Sequence, residues 1–188
     1  MGFFSPAPYH ILSYGALLGT TFFHTFVGGI VSFQVLTRPQ FAVLMARIFP
    51  IYFAMQTALP VVMVLTYPAS KNPFGSAGGI AGVLDPSNRT GVLAPLAGAF
   101  LCALTNLTVV GPATTKCMAE RKQQVNGVSA EDEEKLTLVT ETKHGKDSQE
   151  ALALSKKFGM LHGVSSLLNM GTFIASLAYG FTLSSRLT

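Results

Sequence analysis

Four long apolar stretches, separated by polar breaks, set the pattern of this chain. They cover about residues 9–36, 42–67, 92–110 and 158–183, each close to or above the ~20 residues that carry a helix across a bilayer. Thr37-Arg38-Pro39 closes the first stretch, and Pro39 suits the first turn of the next helix. The second stretch contains Pro50 and Pro60, so it predicts either one long kinked helix or an interfacial piece followed by a shorter span. Residues 68–90 are rich in Gly, Pro, Ser and Asn and predict an exposed loop, with GSAGGIAGVL as a stretch able to re-enter the membrane. Residues 113–157 form the one substantial aqueous segment. It should hold a helical extension ending near Gly127, a second helix opened by Ser129 and Asp132, and a third capped by Asp147 or Ser148.

Small and polar positions within the spans refine this picture. Gly15 and Gly19, and again Gly159 and Gly163, form GxxxG pairs that allow close approach of another backbone. Ala94, Gly98, Cys102 and Asn106 recur every four residues and predict a packing face on the third span. On the fourth span His162, Ser165, Ser166 and Asn169 follow i, i+3, i+4, i+7 spacing and share a helical face. A polar stripe at membrane depth should face protein or water. Arg38 and Arg47 sit where long side chains snorkel towards head groups.

Composition supports a membrane chain. Half of the residues are hydrophobic (49%) and only 12% are charged, where soluble domains carry roughly 25%. Nothing charged occurs before Arg38. The first stretch lacks a basic n-region and far exceeds a ~7–15-residue signal core, so it is expected to remain as a span. The basic residues flanking the first–second and third–fourth breaks are Arg38, Arg47, Lys116, Arg121, Lys122, Lys135, Lys143, Lys146, Lys156 and Lys157; elsewhere stand Lys71, Arg89 and Arg186. Ten against three places the long loop in the cytosol and both termini on the opposite side. The positives read as topology signals, and no nucleic-acid partner is expected. Cys102 and Cys117 are too far apart on one helix to pair. The sequons at Asn88 and Asn106 are expected to go unused, the first lying too near the membrane and the second inside it.

Candidate chemistry is sparse. The stripe of His162, Ser165, Ser166 and Asn169 is either interhelical glue or the wall of a small polar cavity. Asn106 is its natural partner. Counting from the membrane edge puts Asn106 about 9 Å deep and Asn169 about 16 Å, so Ser165 or Ser166 matches Asn106 better. A shared haem would need two histidines at one level, whereas His24 lies about 18 Å deep and His162 about 6 Å. No Cys/His cluster has metal-ligand spacing, no GxSxG occurs, and no span offers a carboxylate to orient a base. No cofactor and no catalytic set are expected, and bound lipid is the small-molecule ligand the reading leaves room for.

Several segments together resemble the transmembrane protein 205-like family of small eukaryotic membrane proteins. They are Thr25-Phe26-Val27-x-Gly29, Arg38-x-x-Phe41, Phe49-Pro50-x-Tyr52-Phe53, Asn106, Pro112-x-Thr114-Thr115-x-x-Met118, and His162-Gly163-x-Ser165-Ser166-Leu167-x-Asn169-x-Gly171. They cover most of the membrane part in order. His24 lies outside the matched positions. The resemblance implies a four-span bundle at endomembranes or the cell surface, with trafficking or export as its functional hint and no established reaction.

The expected fold is all-α: a polytopic membrane four-helix bundle, one membrane domain over residues 1–188, with a partly helical cytosolic loop between spans three and four. The expected role is non-enzymatic, as a scaffold, accessory subunit or trafficking factor that meets membrane lipids and a protein partner or a second copy. Alternatives are a small-molecule or lipid transporter working as an oligomer, and an accessory subunit of a lipid-handling or respiratory membrane enzyme. Mitochondrial membranes fit the same charge count as endomembranes.

Overall fold

The computed structural model describes residues 5–69, 77–126 and 145–185. Helix α1, Pro6–Val35, opens with Ser5 as N-cap and Pro6 in its first turn, and contains a π-turn at His24–Gly28. Helix α2, Arg38–Leu65, follows a tight turn in which the Gln40 carboxamide oxygen accepts from the Thr37 N–H (3.2 Å) and hydroxyl (2.9 Å). It runs unbroken through Pro50 and Pro60, so residues 39–49 continue the span. Helix α3 is the short Gly79–Leu84. Helix α4 runs from the π-turn Arg89–Leu93 through Ala94–Thr105, a second π-turn at Asn106–Val110 and Gly111–Asn126. Helix α5, Gly145–Ser184, has 40 residues and is roughly 60 Å long, about twice the hydrocarbon thickness. Its first turns therefore stand outside the bilayer.

Four of these helices are long and apolar enough to cross a membrane. Each span packs on the next, and α5 closes the ring against α1. The inward residues keep a step of three or four. On α1 they are His10, Ser13, Leu17 and Thr21; on α5 they are Asn169, Thr172, Ser176, Tyr179 and Leu183. These seams are rich in hydroxyls and amides, whereas Leu12, Leu167 and Phe181 point outward, each more than two-thirds exposed. That arrangement suits a lipid solvent, in which buried polar groups must pair with one another.

Burial is uneven along the bundle. Leu17, Met63, Tyr67, Val83, Val92, Leu96, Tyr179 and Leu183 form one apolar cluster at the end where α1 starts and α5 finishes. Helix α3 closes that end. Gly79 adopts φ 63°, open to glycine, and its N–H donates to the Tyr67 carbonyl at 2.7 Å. A Cβ on Gly82 would collide with the Ala77 carbonyl. The Asn88 amide donates to the Gly82 carbonyl (2.8 Å), satisfying a C-terminal group of α3. Ser87 donates its N–H and hydroxyl to Asp85, which holds that carboxyl below its ordinary range. The expectation of an exposed loop thus holds in part for residues 77–90: eight of the fourteen are exposed, while Gly82, Val83 and Asn88 are buried. Their backbone groups are tied to the bundle, and Asn88 is buried in a hydrogen bond where a sugar would have to attach. At the other end the described part of α5 before Asn169 has no buried residue, nor does α1 from His24 to Val35.

The helical extension beyond the third span ends at Asn126, close to its expected limit. The helix expected from Ser129 and Asp132 lies outside the described residues. The third is the start of α5 itself, which begins at Gly145 ahead of both expected caps. The two extensions meet through a buried Cys117 whose thiol donates to the Leu154 carbonyl (3.6 Å), a Lys157–Glu120 pair at 3.9 Å, and Arg121 lying 5.4 Å over the Phe158 ring.

Candidate functional site

Polar side chains join the spans at three levels. At the closed end α2 frays: the Tyr67 N–H turns to the Val64 carbonyl (3.4 Å), which releases the Met63 carbonyl. His10 takes it, with Nδ1 at 2.9 Å from the Met63 oxygen. A carbonyl only accepts, so Nδ1 carries the proton and Nε2 is left to accept from the Tyr179 hydroxyl. The rings of Tyr67 and Tyr179 meet the imidazole edge-on at 5.8 and 5.7 Å. His10 therefore ties α1, α2 and α5 together as a neutral ring with both nitrogens engaged.

At the middle level Gln56, fully buried on α2, donates its amide to Thr21 on α1 (3.0 Å) and to Tyr52 (2.8 Å). One turn along α1, His24 opens the first π-turn. Its ring lies 4.5 Å from that of Tyr52 and 5.1 Å from that of Phe49. Its Nε2 is buried with no hydrogen-bond partner among the described residues. The Gln56 carboxamide oxygen is likewise unmet.

At the third level Asn106 opens the second π-turn. Its amide reaches the Ser165 carbonyl and the Asn169 side-chain oxygen on α5, both at 3.3 Å. The π-turns at His24 and Asn106 are built alike, unlike the one at Arg89, which closes on Ala94. Each starts at a polar side chain and closes by an N–H from a glycine five residues on, Gly29 to His24 and Gly111 to Asn106. A Cβ on Gly111 would stand 2.7 Å from the Asn106 carbonyl oxygen, too close for another residue without a backbone shift. The aromatic segment of α2 lies between the turns. Phe49 and Tyr52 flank His24, while the stacked neighbour Phe53 lies 3.6 Å from the Gly111 position.

An open groove of about 350 Å³ adjoins the first π-turn. Gly19, Thr20, Phe23 and His24 form its α1 wall, and Ile48, Ile51, Tyr52 and Met55 its α2 wall. Among the described residues no three His, Cys, Asp or Glu side chains come together as a metal site.

The structure sorts the residues singled out in the sequence. Asn106, Ser165 and Asn169 meet, the amide of Asn106 spanning the one-turn interval between the latter two. His162 and Ser166 do not join them. Both are exposed, and the Ser166 hydroxyl donates to the His162 carbonyl at 2.9 Å. The inward seam steps from Ser165 to Asn169, Thr172, Ser176 and Tyr179, and Ser166 lies about 100° off it. Gly15, Gly19, Gly98, Gly159 and Gly163 also face away from the bundle, since an added Cβ would meet nothing within 4 Å, and Ala94 is exposed. The close approaches occur instead at Gly171, 3.1 Å from the Cys102 sulfur, at Gly91 beside Thr182 (3.0 Å), and at Gly180 under the Tyr14 hydroxyl. Arg38 lies 5.3 Å over the Phe33 ring, and Arg47 is exposed. Sequence reasoning missed His10, Gln56 and Tyr179 as joining residues. A signal was present for Tyr179, which continues the step of three and four from Asn169, but none marked His10 as the partner of a frayed α2.

Residues 12–123, which hold all three π-turns and the aromatic segment, match the family described as a domain of unknown function, DUF4149. The chain belongs to the DUF4149 family. It is also 32% identical over 184 residues to Xanthocillin biosynthesis cluster protein D of Aspergillus fumigatus, covering 96% of this chain and 90% of that protein. No solved structure matches it significantly. The matched DUF4149 region ends on α4, so α5 contributes Asn169 and Tyr179 from outside it.

Proposed function

We propose that this DUF4149 protein is a non-enzymatic membrane accessory or trafficking factor, which holds a partner through its outer surface and its protruding α4–α5 hairpin. The observation that carries this reading is the direction of its polar groups. His10, Gln56, Asn106 and Asn169 each reach across to another span, so these inward side chains serve the bundle's own assembly, although the carboxamide oxygens of Gln56 and Asn106 stay unmet. What it offers outward is an apolar belt with glycine tracks and, beyond the bilayer, a pair of helices carrying Arg121, Lys156 and Lys157. The relative named as a biosynthesis cluster protein supports a place beside a small-molecule pathway. The resemblance to the transmembrane protein 205-like family supports trafficking at endomembranes or the cell surface. The charge count supports a cytosolic α4–α5 hairpin with both termini opposite. Purification in mild detergent, with mass analysis of bound proteins and lipids, is expected to return a fixed partner. A bare monomer, free of any partner in native membranes, would overturn the accessory role.

A second reading, an oligomeric transporter, is favoured by the outward glycine pairs Gly15/Gly19 and Gly159/Gly163, which leave room for another subunit. It requires flux through the polar level of α5. Asn169→Leu would then abolish transport while the bundle stays folded; unchanged transport would remove this reading.

A further inference from the structure

We propose that the foot of the α4–α5 hairpin is a binding site for the phosphate head group of an anionic phospholipid, with Arg121 as its central contact. Its level in the membrane follows from the outward residues of α5. Lys156 and Lys157 are exposed, and beyond them the outward positions turn apolar, with Met160, Val164 and Leu167 all exposed. About twenty residues from Met160 give roughly 30 Å, the hydrocarbon thickness, and reach Gly180, near the end of α5. The two lysines therefore stand within about one turn of the hydrocarbon edge, among the head groups. On α4 the last exposed large apolar side chain is Val109, and the exposed Lys116 follows it.

Three features at that level build a site rather than a merely basic surface. Cys117 meets Leu154, so Arg121, one turn beyond Cys117, has water to extend into. Its guanidinium instead bends towards the bilayer and lies 5.4 Å over the ring of Phe158, one turn nearer the membrane than Leu154. The ring is shared, since the exposed His162 stacks on Phe158 with the rings 6.0 Å apart and 10° from parallel. The charges do not balance either. Glu120 is taken by Lys157 at 3.9 Å, and Arg121 has no carboxylate partner among the described residues. Aromatic backing steadies a guanidinium while leaving its N–H fork open, and that fork can donate to two phosphate oxygens at once. An amphiphile is favoured over a free phosphate, because its acyl chains continue onto Met160, Val164 and Leu167. A zwitterionic lipid would bring its own cation against Lys156, Lys157 and Arg121, which like-charge repulsion disfavours. This site goes beyond the accessory role and does not depend on it.

The test titrates the full chain, purified in mild detergent, with dioleoyl phosphatidic acid or dioleoyl phosphatidylcholine and counts bound lipid by native mass spectrometry. Phosphatidic acid should be retained at about tenfold lower concentration, the effect of a charge-assisted hydrogen bond. Arg121→Gln should remove that preference. Arg121→Lys keeps the charge without the fork, and should lose most of it. Arg38→Gln removes one charge from the same end of the bundle, over the Phe33 ring, and should leave the preference intact. Equal retention of the two lipids would overturn the proposal. So would an undiminished preference in Arg121→Lys, or a loss with Arg38→Gln as large as with Arg121→Gln, since either would reduce the effect to general attraction by charge. Displacement of the lipid by millimolar inorganic phosphate would overturn the lipid as occupant. Arg38 and Arg121 are both exposed, so a melting curve matching that of the parent separates loss of the site from loss of the fold.

Discussion

His10 and His24 lie on the same helix, four turns apart, in opposite circumstances. His10 is fully buried, gives one nitrogen to a carbonyl of α2 and the other to a hydroxyl of α5, and sits under a cap formed by α3. His24 stands in a π-turn beside an open groove with its Nε2 unmet, in a half of α1 that buries nothing. The same side chain is a rivet in one place and an unfilled position in the other. The difference lies in the neighbouring helix ends. A fraying α2 supplies a free carbonyl at the closed end, whereas at His24 the facing part of α2 is mid-helix and meets the ring with the side chains of Phe49 and Tyr52. Polar residues in a membrane bundle are therefore to be judged by what their neighbours leave unsatisfied.

This contrast can be broken in several places. His10→Ala should have the largest effect, a loss of about 2–4 kcal/mol, because it opens a cavity and strands the Met63 carbonyl. Unfolding in graded denaturing detergent would measure it, and a change within error would mean that the closed end is not held by His10. Gly82→Ala comes next, at about 1–3 kcal/mol, since its methyl group runs into the Ala77 backbone. The same unfolding assay reads it, together with increased proteolysis around α3. Asn106 and Asn169 give a smaller effect. A cycle of Asn106→Leu, Asn169→Leu and the double variant should show a coupling of about 0.6 kcal/mol, below ~2. Additive effects would show that the two amides do not act as a pair. His24→Phe should shift stability by no more than about 0.5 kcal/mol, since the ring stays between Phe49 and Tyr52 and the nitrogen it removes has no partner. A destabilisation as large as that of His10→Ala would erase the distinction between the two histidines.

The architecture was legible because apolar length is an unambiguous signal when charges are confined to the breaks. Four spans and the extension of the third can be read from residue order. The Asn106–Asn169 contact was half legible: the two amides are the strongest polar residues of their spans, but depth counting favoured the serine level one turn away. The amide of Asn106 reaches both, taking the backbone of Ser165 and the side chain of Asn169. The outward turn of His162, Ser166 and the GxxxG glycines was not legible. An i, i+3, i+4, i+7 set spans an arc wide enough to straddle the edge of a buried face, and glycine spacing is the same whether a helix meets its own bundle or another molecule. The ordering of residues 77–90 was hidden for a different reason. Gly79, Gly82 and Asn88 look like loop residues, and each is required by a specific turn that only the folded neighbours define.

The π-turns have one more consequence, concerning insertions and deletions. Each is a helix carrying one residue more than regular geometry needs. Deleting a single residue between Asn106 and Val110 would restore ideal local geometry to α4. Winding the same residues as regular helix, with none deleted, would instead rotate everything downstream by about 100°, swinging Cys117 away from Leu154 and uncoupling the hairpin beyond the membrane from the bundle within it. The more regular helix would belong to a less coherent protein. The irregularity keeps two stretches of one rod in phase with different neighbours.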